Sequence, residues 1–277
     1  MQTRCRASIV AGQKLEGRGF CITLMAYGQL ALSKDRILMD SSPEEEMDKA
    51  KHVLITGISN GLGRSLGLCF LRNGWSVSGI DRIPIKDHDA NVLKDRIAFQ
   101  LCDIGRDPLD LASFVSRHGG FDALINNAGV ATPYAFSEIP EDIIEDTILT
   151  NVLGLIRVTR YAIQYMNDYS YIVNIGSHLA RHSYHMMPVY TSSKHAVLGF
   201  TEGLRKHLKE TSKTFRILLL NPGMMDTEIV PEDADKGDFW AKMPPDEVAD
   251  EIFHIVNLKS HLNITEVSIR GLFSPID

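Results

Sequence analysis

The chain has little cysteine: four residues in 277, Cys5, Cys21, Cys69 and Cys102, none in Cys-x-x-Cys spacing. That argues against a disulfide framework and a thiolate zinc site, and it fits reduced thiols in a cytoplasmic protein. There is no apolar run of the ~18 residues that a membrane-spanning helix needs, so no membrane partner is expected. Positive charge is not in excess either. Lys and Arg number 29 against 35 Asp and Glu, a net charge of −6, which argues against a nucleic-acid-binding surface. Internal repeats and low-complexity tracts are missing. Three histidines, His178, His182 and His185, stand close together, but no carboxylate or cysteine completes a set of ligands, and no metal is expected.

What is present is ordinary for a globular protein: 44% hydrophobic and 23% charged residues, in a length that suits one large α/β domain or two small ones. Residues 1–46 differ from the rest. Their six basic and six acidic side chains cancel, and the first 34 residues hold a single acid, Glu16. This stretch reads as an N-terminal extension, poorly structured or a leader, with Ser41 to Glu46 as a linker or a weak cap. Residues 47–277 read as one domain.

From Lys51 on, apolar runs alternate with helical patterns. The expected strands are His52–Ile55, Trp75–Ile80, Ile97–Leu101, Phe121–Ile125, Tyr171–Ile175, Phe215–Leu220 and Glu266–Ile269. Helical patterns cover Arg64–Asn73, a long Asp142–Met166, Tyr190–Glu210 and Pro245–Asn257, and Gly74 closes the first of them. The strands are continuous apolar runs, as in a parallel sheet buried on both faces. The fold class is therefore α/β, a doubly wound parallel sheet of seven strands with helices on both faces. Such sheets bind ligands at the carboxyl ends of their strands.

Polar and glycine residues gather at those ends. Gly57, Gly61 and Gly63, with Ser59, Asn60 and Leu62 among them, lie between a strand and a helix, where a tight turn and free helix N–H groups can cradle a pyrophosphate. A glycine turn without a ligand is the plainer alternative. Asp81 ends the second strand, placed to accept bonds from an adenosine ribose and to repel a 2′-phosphate, although Arg82 beside it could meet that phosphate. Asp103 and Ile104 follow the third strand, where the acid could meet an adenine edge; Asp81 and Asp103 could equally be turn residues. Tyr190 and Lys194 stand four residues apart, on one face if helical. A neighbouring ammonium favours the phenolate, which makes an acid/base from a phenol, but read alone the spacing fits a solvated helix face first.

Together, Thr56-Gly57-x-x-x-Gly61-x-Gly63, Asn126-Asn127-Ala128-Gly129, Asn151, Ser177, Tyr190-x-x-x-Lys194 and Asn221-Pro222-Gly223 with Thr227 resemble the short-chain dehydrogenase/reductase family, over about Lys51 to Ile269. The resemblance implies a Rossmann-type catalytic domain and an NAD(P)-dependent oxidoreductase that moves a hydride between a nicotinamide and an alcohol or ketone. In it Tyr190 is the general acid/base, Lys194 lowers its pKa and holds the nicotinamide ribose, Ser177 orients the substrate oxygen, and Asn151 supports a proton relay. Asn127, Ala128, Gly129, Pro222, Gly223 and Thr227 line the cofactor cleft. NAD is favoured over NADP through Asp81.

The pocket is expected from residues 178–189 and a lid at 224–243, with His178, Tyr184, Met187 and Met224 at the substrate. The lid is acidic, so a neutral alcohol or ketone is preferred to a small hydroxy acid unless Arg181 or Lys242 faces inward. The ending Ile264 to Arg270 resembles that of general alcohol and hydroxy-acid members. Family members commonly pair through the long helix and the Tyr/Lys helix, so a homodimer or homotetramer is expected, and Val152, Leu155, Ile156, Val158 and Ile163 are each open to core or interface. The alternative is a catalytically silent NAD(H)-binding sensor or scaffold of the same fold.

Overall fold

β1 (His52–Thr56) is buried on both sides. Val53 and Ile55 point into one apolar layer and Leu54 into the other. The other strands are β2 (Ser76–Asp81), β3 (Ile97–Leu101), β4 (Phe121–Asn126), β5 (Met166–Ile175), β6 (Phe215–Pro222) and β7 (Glu266–Ile269). They form one parallel sheet in the order β3-β2-β1-β4-β5-β6-β7. This is a computed structural model, and it describes residues 50–86, 96–181, 187–227, 242–259 and 261–271. The expected extension, Tyr184 and most of the expected lid lie outside the described residues.

The helices sort by apolar face. α1 (Gly61–Arg72) sends Leu62, Leu66 and Phe70 into the Val53/Ile55 layer. α6 (Pro245–Val256) adds Val248, Ile252 and Ile255 to it. The opposite layer is covered by α2 (Pro108–Arg117), α4 (Leu155–Ala162) and α5 (Pro188–Leu208), through Phe114, Val158 and Leu208 against Leu54, Leu124 and Ile172. α2 is absent from the sequence reading, although Pro108 at its start and buried Leu111, Phe114 and Val115 are a compact helical signal. α1 stops where expected: Gly74, at φ +77°, donates its N–H to the Leu71 carbonyl.

The single long helix expected over 142–166 is broken. α3 (Glu141–Ile148) runs into a π turn, Leu149–Gly154, before α4, and a 3-10 turn at Ile163–Tyr165 ends the series. The π turn is pressed onto the segment after β3. A Cβ on Gly154 would lie 2.6 Å from the Ile104 side chain, and one on Gly105 would lie 2.8 Å from the Leu149 carbonyl oxygen. Met166 belongs to β5 instead, opposite Phe121, with a register shift before Ala123.

Between β4 and β5 the apolar layer is interrupted by a buried polar ladder. Asn126 Nδ2 donates to Thr159 Oγ1 (2.9 Å) and to Asn174 Oδ1 (2.8 Å). Asn174 Nδ2 donates to Thr201 Oγ1 at 2.9 Å. The two threonines donate in turn to the Leu155 and Val197 carbonyls. The ladder ties α4 to α5 through the two central strands just below their carboxyl ends. Asn174→Ala takes one bond from each neighbour in a dry layer and is expected to cost about 2–3 kcal/mol. Urea unfolding of the purified variant measures it, and a loss under ~0.5 kcal/mol would overturn the ladder's structural role.

Candidate active site

The glycine turn is braced before it meets any ligand. Thr56 Oγ1 accepts the N–H groups of Asn127 (3.1 Å) and Ala128 (3.0 Å). Asn127 Nδ2 returns bonds to the carbonyls of Thr56 (2.9 Å) and Gly57 (3.2 Å). Gly57 sits at φ +69°, and a Cβ there would press on Ala128 Cα at 2.8 Å. Gly63 lets α1 close onto the Gly57 carbonyl, where any side chain would overlap it. The first turn of α1 has no acidic residue and no side-chain cap, so its N–H groups are suited to receive an anion.

At the end of β2 the Asp81 carboxylate accepts from Ser59 N (2.8 Å) and Ile83 N (3.2 Å). Arg82 is held by Asp146, at 2.8 and 2.9 Å from its two oxygens. Asp103 caps its own loop, accepting from Gly105 N at 2.8 Å, while Asp107 Oδ2 accepts the Asp103 N–H at 2.9 Å.

On the far side of the sheet's switch point, α5 carries Tyr190 and Lys194 on one face. Lys194 is buried, and its Nζ donates to the Ile175 carbonyl at 2.9 Å. That nitrogen lies 5.6 Å from the Tyr190 ring centroid. Burial pulls the ammonium down to about 8. Burial also pushes the Tyr190 phenol up to about 12, with the Ser177 hydroxyl bond working the other way. Loss of water around the ring outweighs the stabilisation a neighbouring cation can give, with that cation turned toward a carbonyl. At neutral pH Tyr190 holds its proton.

Asn151 lies in the π turn, buried. Its Oδ1 accepts Val130 N (2.8 Å), and its Nδ2 donates to Val130 O (2.9 Å) and Ser193 Oγ (3.0 Å). Ser193 donates in turn to the Tyr190 carbonyl at 2.7 Å. Thr56 and Ser193 are working parts to which the sequence reading gave no role of their own. Ser193 stands three residues after Tyr190, a spacing that puts it beside the pair on the helix.

One cavity of about 420 Å³ runs between these groups. Its wall holds Gly57, Asn60, Gly61, Leu62, Asp81, Arg82, Asp103 and Ile104 at one end. Asn127, Ala128 and Gly129 line its middle, and Ser177, His178, Met187, Tyr190, Lys194, Pro222, Gly223, Met224 and Thr227 the other end. Three expected site residues stand behind this wall. Ser59 is fully buried, its hydroxyl on the Ile83 carbonyl at 2.8 Å, Gly63 is packed under Gly57, and Asn151 is enclosed by its partners. The bonds that shape the glycine turn pack away the first two. Thr227 reaches across the cleft, its methyl close to Gly61. Arg181 does not face the cavity as a cation for an anionic substrate, because Glu266 binds its Nε at 2.8 Å and its Nη2 at 2.7 Å. The glycine turn, the uncapped helix start and the acid at the end of β2 together fit a dinucleotide.

The short chain dehydrogenase family model matches residues 51–237. The human protein dehydrogenase/reductase SDR family member 11 is 28% identical, over 82% of this chain and 96% of its own length. Farnesol dehydrogenase of Aedes aegypti is 26% identical, over 79% of this chain and 95% of its own length. Among solved structures, a short chain dehydrogenase from Burkholderia cenocepacia in complex with NADP is 25% identical, with a TM-score of 0.70 over 80% of this chain and 96% of that one. The turn, the sheet order and these matches agree: the chain belongs to the short chain dehydrogenases, a family of NAD(P)-binding oxidoreductases.

Proposed function

We propose that the chain interconverts an alcohol and a ketone, with Tyr190 as general acid/base. One observation carries the reading: Ser177, Tyr190 and Lys194 share the wall of a cavity whose other end is the glycine turn and Asp81. A bound nicotinamide supplies or takes the hydride. Gly57, Gly61 and the first turn of α1 would hold the pyrophosphate, and Asp81 the adenosine ribose. Ser177 orients the substrate oxygen toward the phenol. In reduction, Tyr190 gives that oxygen its proton, and the protonated phenol is the form that burial favours. In oxidation the phenol must first lose the proton, and the Lys194 cation steadies the phenolate. Asn151 acts through position, holding the segment at Val130 and, through Ser193, the Tyr190 turn of α5.

NAD is the cofactor this reading favours, supported by Asp81 at the ribose end and by the engagement of Arg82; the NADP complex of the Burkholderia protein points the other way. The substrate is a neutral alcohol or ketone, supported by the engagement of Arg181, and farnesol in the name of the mosquito relative is of that class. Serine 3-dehydrogenase of Agrobacterium fabrum, 26% identical, keeps a small hydroxy acid as the second class. A panel of both classes, run with NAD and NADP, tests both assignments. Turnover of neutral alcohols with NAD is expected, and faster turnover with NADP or with hydroxy acids would overturn the corresponding half.

A homodimer or homotetramer in the cytoplasm completes the reading. Leu155 and Val158 belong to the core, whereas Val152, Ile156 and Ile163 remain half-buried and available to a second copy. Cys69 and Cys102 are free thiols, and no helix among the described residues is long and apolar enough to cross a membrane.

A further inference from the structure

The adenosine end of the cavity carries a pairing that no motif in the sequence contains. Arg82 lines the cavity next to Asp81, and its Nη1 lies 2.8 and 2.9 Å from the two carboxylate oxygens of Asp146. Asp146 stands in the last turn of α3. The preceding residue, Glu145, meets Arg106 at 3.6 Å, and Arg106 in turn lies 3.9 Å from Asp103. Two successive carboxylates of one helix thus face two arginines at the same end of the cleft.

We infer that Asp146 is a specificity-determining residue, which holds Arg82 and so biases the site against a 2′-phosphate. The inference rests on the dinucleotide reading of the cavity.

Both Asp81 oxygens are fixed by main-chain N–H groups, from Ser59 at 2.8 Å and Ile83 at 3.2 Å. The carboxylate therefore stays at the ribose end and opposes any phosphate placed there. Arg82 is the adjacent counter-charge, and a guanidinium fork matches phosphate geometry well. To use it, a 2′-phosphate must draw it away from Asp146 and leave that carboxylate unpaired beside a new anion. Fold stability does not explain the acid, because the pair is open to solvent, with 41% of the Arg82 side chain and 23% of the Asp146 side chain accessible. What the pair does control is where the guanidinium points.

The test measures binding of NADH and of NADPH, by fluorescence titration, to the full-length wild type, Asp146→Ala and Arg82→Ala/Asp146→Ala. Circular dichroism establishes that each variant is folded, and alanine suits the helix. Asp146→Ala is expected to tighten NADPH relative to NADH by about tenfold, the scale of one charge-assisted hydrogen bond to the phosphate. The double variant should show no such tightening, because it has no guanidinium to release. A relative shift under ~2-fold in Asp146→Ala, or a tightening that survives in the double variant, would overturn the inference. If the wild type binds NADH and the ratio does not move, this inference alone falls. If the wild type binds neither nucleotide, the reading of the cavity falls and takes the inference with it.

Discussion

Tyr190→Phe is expected to lower turnover by about a thousandfold while NADH binding stays within about twofold of the wild type. The substitution removes one oxygen and keeps the ring. The cofactor end of the cavity, from the glycine turn to Asp81, lies on other elements and keeps its bonds. The proton that the proposed mechanism gives to the substrate oxygen has no second source as well placed, since the Lys194 Nζ is turned to the Ile175 carbonyl at 2.9 Å. Burial favours the neutral phenol over the phenolate, so a phenyl ring at this position leaves no unpaired charge and the fold should tolerate it. Steady-state rates on the best alcohol of the panel, set beside NADH titrations, separate the possibilities. Turnover within tenfold of the wild type would remove Tyr190 from the chemistry. A wild type that binds NADH and turns over nothing would instead support the silent sensor or scaffold.

Much of this arrangement is legible in the chain because parallel strands buried on both faces leave an unbroken apolar signature, and their ends are marked by polar or glycine residues. Ile97–Leu101 and Glu266–Ile269 have the bounds expected of them. The Tyr190 and Lys194 spacing is local to one helix, so it survives translation from sequence to space. The features that escaped are long-range. Arg82 and Asp146 are 64 residues apart, and Arg181 and Glu266 are 85 apart. Nothing at either end of such a pair announces the other. The π turn escaped for another reason. Leu149–Gly154 keeps a helical pattern of apolar residues, and the wider turn shows itself only where the helix meets Ile104 and Gly105. Burial around the phenol escaped as well, because charge pairing can be read from residue types, whereas burial cannot. Once the fold closes over both groups, desolvation raises the phenol and lowers the ammonium together.

Lys194→Met is expected to reduce turnover at least ~100-fold and yet to raise stability at pH 7. The ammonium is buried, and burial brings it from an ordinary 10.5 down to about 8. The unfolded lysine therefore binds its proton more tightly than the folded one. Below pH 8 both states are charged and the full penalty falls on the fold, about 3 kcal/mol by linkage. As pH rises from 8 toward 10.5 the folded lysine loses its proton first, the penalty fades, and the wild type gains stability relative to the variant. Methionine has similar length and no charge, but it leaves the Ile175 carbonyl without a donor, at a cost of about 1 kcal/mol. The difference is then a gain of roughly 2 kcal/mol at pH 7, shrinking to nothing near pH 10. Other titrating groups are shared by the two proteins, so the difference isolates Lys194. Urea unfolding of both proteins at pH 7 and pH 9.5 measures it. A variant less stable than the wild type at pH 7, or a difference that does not narrow with rising pH, would mean that the lysine is better solvated in the fold than its position against Ile175 implies.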